Sequence, residues 1–182
     1  RPDGGPASGA AVRVVTPGDY LEVSDGAPSR TEPLPPADER QSVKTDADGR
    51  FDVDVDCERC RLVVLHDTGF ADLAATRVAR QSGAVSLRRW GTVSCDVNLD
   101  RRPAAGVRVT AESREEHGGG GYDEPYVDFD ARGVTGADGH CSLAHEPPGK
   151  AVVAMYEPIE FGRRNRFWGS RLVRKTPVEV PS

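Results

Sequence analysis

Thr45-Asp46-Ala47-Asp48-Gly49-Arg50-Phe51-Asp52-Val53-Asp54-Val55 is the stretch that decides how this chain reads. Its first half is turn chemistry, since the Asp48-Gly49 pair suits a tight turn that needs positive φ. Its second half alternates with period two, Phe51, Val53 and Val55 against Asp52, Asp54 and Asp56, the pattern of a half-buried strand. The same turn returns as Thr135-Gly136-Ala137-Asp138-Gly139, 90 residues later. Around it, Val12-Arg13-Val14 returns as Val107-Arg108-Val109 at an offset of 95, and Val63-Val64 as Val152-Val153 at an offset of 89. The order is kept while the offsets change by a few residues, as two copies differing in loop length would show. The repeat predicts two tandem domains, 1–86 and 87–182.

Short alternating segments bounded by Gly, Pro and Asp predict an all-β chain of two antiparallel β-sandwiches. Only Phe70 to Gln81 reads as a short helical or irregular segment. Residues 16–44, with five prolines, and 111–133, with the run Gly118 to Gly121, read as the two longest loops. Loops of that length in a compact domain carry function or mobility.

The 182 residues are 37% hydrophobic and 29% charged, with apolar runs throughout, which excludes a wholly disordered chain. No run approaches the roughly 18 apolar residues of a spanning helix, so no membrane insertion is expected. The net charge of −5 sits in residues 1–86, with ten basic against fifteen acidic side chains, while residues 87–182 carry fourteen of each. Residues 160–175 form a local basic tip. Such asymmetry bears on partners and not on fold. The opening at Arg1 reads as a processed or excised piece.

Cys57, Cys60, Cys95 and Cys141 are the disulfide candidates. Cys57-Glu58-Arg59-Cys60 admits a short-loop disulfide, half a zinc site or a redox pair. There is no second CxxC to complete a four-cysteine zinc site. A strand-like Arg61-Leu62-Val63-Val64-Leu65 follows, where a redox motif needs a helix. Structural disulfides in an oxidising compartment are the reading carried forward.

The stretches Pro6 to Thr16, Thr45 to Val55 and Arg61 to His66 resemble the carboxypeptidase regulatory-like domain, a prealbumin-like (Ig-like) sandwich. Pro103 to Thr110, Thr135 to Leu143 and Pro148 to Tyr156 repeat that resemblance. It implies a non-catalytic part of a secreted, cell-surface or envelope protein. Cys141 stands where the family usually has an aromatic residue, which implies a stabilising bond, with Cys95 as its partner. The second copy is preceded by a strand, Trp90 to Val97, that has no counterpart in the first. The first copy is therefore expected to lack its N-terminal strand, to be supplied by an upstream segment or by a neighbouring chain.

Candidate chemistry is sparse. Prealbumin-like iron dioxygenases use two Tyr and two His, but His140 and His145 with Tyr122 and Tyr126 lack the family's closely spaced His-x-His and read as loop residues. No Ser-His-Asp context exists, and Gly169-Ser170 opens no nucleophile elbow. Asp46 and Asp48 are weak calcium candidates. Asp52, Asp54 and Asp56 spread over about 13 Å of strand, too far to share one ion. No cofactor is expected beyond that calcium option. Arg163, Arg164, Arg166, Phe167, Trp168 and Arg171 form a basic-aromatic segment suited to a partner or polyanion such as an acidic polysaccharide. An acidic chain is a poor nucleic-acid binder, and a simpler reading makes this segment the tip of a hairpin between the last two strands, meeting an acidic surface such as Asp52 to Asp56.

Together these readings predict a non-catalytic structural or adhesive module, extracellular, cell-surface or periplasmic. Its expected partners are further copies of itself or neighbouring domains of a longer parent, with fibre assembly by strand complementation as the sharpest form. Carbohydrate or polyanion binding through residues 161–171 is the alternative.

Overall fold

A computed structural model describes residues 1–29, 42–55, 57–80, 83–114, 124–160 and 168–181. It is mostly strand, in several antiparallel sheets, and divides into two compact units. The first unit takes residues 1–90 and 116–129, and the second 91–115 and 130–182. The boundary that the repeat placed after residue 86 is thus not a single cut, because a segment from the middle of the second copy belongs with the first unit.

In the first unit, β1 (Ala11–Val15), β4 (Ser42–Lys44), β5 (Arg61–His66) and β6 (Gly69–Ala74) form a sheet in the order β4-β1-β5-β6. Its inner strand β5 reads Leu-Val-Val-Leu between polar ends, and all four are buried. A continuous apolar run is what a strand covered on both faces requires. On one face Val12, Val14, Leu62, Val64 and Ala71 pack with Leu87 and with Ala75 of the helix α1 (Ala75–Arg80). On the other, Val15, Val63, Leu65 and Phe70 pack against Leu21 and Val23 of β2 (Tyr20–Ser24) and against Val127 and Phe129. Phe70 stacks on Trp90 at 4.4 Å between ring centroids and meets Phe129 at 5.3 Å. Burying each such ring contributes roughly 1.5–3 kcal/mol.

Two expectations change here. Phe70 to Ala74 is strand rather than helix, since it closes a hairpin with β5 that buries Phe70 and pairs Leu65 with it, and only residues 75–80 are helical. The stretch read as one loop, 16–44, contains β2, β4 and the short β3 (Ala27–Pro28), which pairs with β2. Residues 30–41 lie outside the described residues, as do 115–123; the stretch 111–133, also read as a loop, is strand at both ends, within Arg108–Ser113 and Tyr126–Val134.

The second unit holds β7 (Gly91–Asp96), the short pair β8 (Asn98–Leu99) and β9 (Arg102–Pro103), β10 (Arg108–Ser113), β12 (His140–Glu146), β13 (Gly149–Glu160) and β14 (Trp168–Val180). A strand β11 (Tyr126–Val134) divides, with Tyr126–Phe129 in the first unit and Asp130–Val134 in the second. Within this unit the order β14-β13-β10-β11 builds one sheet and β7-β12 a second. Val93, Cys141 and Leu143 of the pair meet Val109, Ala111, Ala131 and Val153 in one core. β13 and β14 form the hairpin expected of the last two strands, with Glu160 opposite Trp168.

Candidate functional site

The turns of the repeat form the same hydrogen bonds in both units. Asp46 N–H donates to Arg50 O and Gly49 N–H to Asp46 O, and Gly136 and Gly139 repeat both bonds with His140 and Gly136. Gly49 and Gly139 sit at φ 73° and 78°. A Cβ on either would come within 2.8 Å of Ala7 N or 2.6 Å of Val97 O, so only glycine fits. The bonds align Gly9-Ala10 with Gly106-Val107, which pairs Val12 with Val109 rather than with Val107.

Beyond the turns the units part company. In the second, β12 runs antiparallel to β7, with Cys141 opposite Cys95 and Leu143 opposite Val93. In the first, the equivalent Phe51–Val55 joins no β-ladder among the described residues, although the sequence pattern reads as strand. Its alternation still holds: Phe51 and Val53 pack against the first core, while Asp52 and Asp54 face solvent. Val55 is 37% exposed. Beside Phe51 a cavity of about 430 Å³ opens, lined by Pro6, Val64, Val85 and Leu87 among others. The core beneath is closed in part by α1 and by Val85 and Leu87, so the apolar exposure expected of a sandwich lacking a strand is reduced to this edge.

The cysteines resolve into two kinds. Cys57 and Cys60 form a disulfide, Cα–Cα 5.6 Å, just after the unpaired stretch. Cys95 and Cys141 are free thiols, contrary to the bond expected between them. Burial pushes both thiols above the ordinary range; the neighbouring Cys141 and Asp96 add to the rise at Cys95, and at Cys141 a hydrogen bond from Cys95 works the other way.

The calcium candidates have local work. Asp46 Oδ1 accepts the backbone N–H groups of Asp48 and Arg50 at 2.9 and 2.8 Å, tying the turn. No group of three or more His, Cys, Asp or Glu is placed to hold a metal among the described residues. His140 Nδ1 lies 2.9 Å from Asp96 Oδ1, and Tyr126 stacks on Tyr20 at 5.5 Å. Tyr20 O–H donates to Asp128, and burial, with that carboxylate beside it, holds the phenol well above its usual range. Arg163, Arg164, Arg166 and Phe167 lie outside the described residues; Trp168 and Arg171 fall on β14. No described helix is long and apolar enough to cross a membrane.

Sequence reasoning missed a group in the second unit: Arg108, Thr110 and Glu112 on β10, Asp130 and Arg132 on β11, and Tyr156 on β13. The period-two pattern of Arg108, Thr110 and Glu112 was a signal that could have placed three of them on one face. These features define an all-β protein of two compact units. No family model, characterised protein or solved structure matches the chain.

Proposed function

We propose that the chain is a non-catalytic structural or adhesive module of the carboxypeptidase regulatory-like, prealbumin-like kind, built as two tandem sandwiches. Its first unit takes up a β-strand along Phe51–Val55 from a second copy, which makes it a subunit of an exported assembly. The observation that carries this reading is the contrast between equivalent segments: β12 is paired with β7, whereas Phe51–Val55 keeps a strand's alternation, joins no ladder among the described residues and flanks an open cavity. Main-chain hydrogen bonds supply affinity in strand addition, and a pocket for alternate side chains supplies specificity. An incoming strand patterned like Gly91–Asp96 would place an apolar side chain in the cavity beside Phe51. The Cys57–Cys60 disulfide next to the acceptor suits an extracellular, cell-surface or periplasmic setting.

Sedimentation velocity over a wide concentration range tests this. The expected result is mass above one chain that grows with concentration and is lost in Asp54→Pro or Val53→Pro, which between them remove one N–H from each of the two alternating sets of the strand. A chain that stays monomeric at the highest concentration overturns the reading.

A further inference from the structure

The outer face of the second unit's larger sheet carries a hollow of about 580 Å³, within the size range of small-molecule sites. Cross-strand register builds it. One row sets Val134, Arg108 and Tyr156 side by side, the next Arg132, Thr110 and Ala154, and the third Asp130, Glu112 and Val152. The face is thus divided: guanidinium groups and a tyrosine ring at one end, two carboxylates at the other.

Two polar atoms at its floor are unsatisfied. Asp130 is 9% exposed; its Oδ2 accepts from Arg132 Nε at 2.7 Å, but its Oδ1 is buried without a hydrogen-bond partner. Thr110 Oγ1, in the row next to that of Tyr156, is likewise buried without one. Buried polar groups in folded proteins are nearly always paired, so two orphans lining one hollow point to a ligand.

We propose that this hollow binds a saccharide. A sugar's hydroxyls both donate and accept. They can donate to Asp130 Oδ1 and Glu112, exchange with Thr110, and accept from Arg108, while the apolar face of the ring lies on Tyr156. Arg132, whose side chain is 47% exposed, flanks the hollow while it holds Asp130 Oδ2 and leaves Oδ1 to the ligand. A simple anion would satisfy Arg108 but would leave Asp130 Oδ1 and Thr110 without a donor. An apolar ligand would leave Asp130 Oδ1 and Thr110 Oγ1 unpaired. The inference stands independently of strand addition, which involves the first unit.

The test is retention of the intact chain on immobilised hexasaccharides, neutral (cello- and xylo-) and uronic (polygalacturonate and alginate), beside immobilised phosphate as an anion control. Retention on at least one saccharide and not on phosphate is expected, with Arg108→Ala and Tyr156→Ala each weakening it at least tenfold. Circular dichroism and unfolding curves like those of the unaltered chain would show that these variants fold. Asp130→Asn is expected to weaken binding less than Asp130→Ala, because the amide keeps an acceptor oxygen. Failure to bind any of the four saccharides, equal retention on phosphate, or binding indifferent to Arg108 and Tyr156 overturns the proposal.

Discussion

Thr45 and Thr135 occupy the same position in their two units and make the same pair of bonds. Thr45 Oγ1 accepts the N–H of Ala10 at 2.8 Å and donates to Ala7 O at 2.5 Å. Thr135 Oγ1 accepts the N–H of Val107 at 3.0 Å and donates to Ala104 O at 2.6 Å. Each hydroxyl satisfies a donor and an acceptor of the Pro-Ala-x-Gly turn that leads into the first strand of the sheet.

Replacing either threonine with valine keeps the shape but orphans an N–H and a carbonyl. Thr45→Val and Thr135→Val are each expected to cost about 1–3 kcal/mol, while Thr→Ser, which keeps the hydroxyl, costs less. Denaturant unfolding of the four variants checks this. A neutral Thr→Val at either site would show that the duplicated turn does not hold the strand.

Phe129 tests the discontinuous division of the chain. It lies far along the sequence yet is 1% exposed in a core with Phe70 and Val63. Phe129→Ala is expected to destabilise the first unit by roughly 3–5 kcal/mol and to change the fluorescence of Trp90, whose ring lies 6.2 Å away. An unaltered Trp90 signal would contradict the assignment of residues 126–129 to this core.

Cys95 and Cys141 give a pH prediction. Both thiols are raised by burial, so in the folded chain they stay protonated where an ordinary thiol, near 8.5, begins to ionise. Their alkylation by iodoacetamide is expected to gain speed only at a more alkaline pH than that of free cysteine. The sign for stability follows: the contribution is full below the unfolded thiol pKa and is lost as pH rises through the folded values. Two modifiable thiols per denatured, unreduced chain and four after reduction are expected. Thiolate reactivity at neutral pH equal to that of a free cysteine would sink the account.

The turns and the repeat were legible because Asp-Gly pairs and the Thr-x-Ala-Asp-Gly order encode local geometry. The hairpin of the last two strands was legible for the same reason, since its partners are neighbours in sequence. Tyr126–Phe129 could not be placed from sequence, because its core partners Phe70 and Val63 are distant and alternation says which face is buried but not against what. Phe70–Ala74 is ambiguous as a five-residue segment with four apolar residues around Asp72, and the pairing with β5 decided it. Phe51–Val55 shows the reverse: its pattern is correct for a strand, but a ladder needs a partner that pattern alone does not provide. Asp130 and Tyr156 were invisible as a pair because only cross-strand register brings their rows onto one face.

Hydrogen exchange at the amides of Phe51 to Val55, followed in dilute and concentrated solutions of the intact chain, tests the strand-acceptor reading most directly. Fast exchange in the dilute monomer and slow exchange on assembly, approaching that of the β12 amides, is the predicted result. Protection already complete in the dilute monomer, or absent at every concentration, would contradict it.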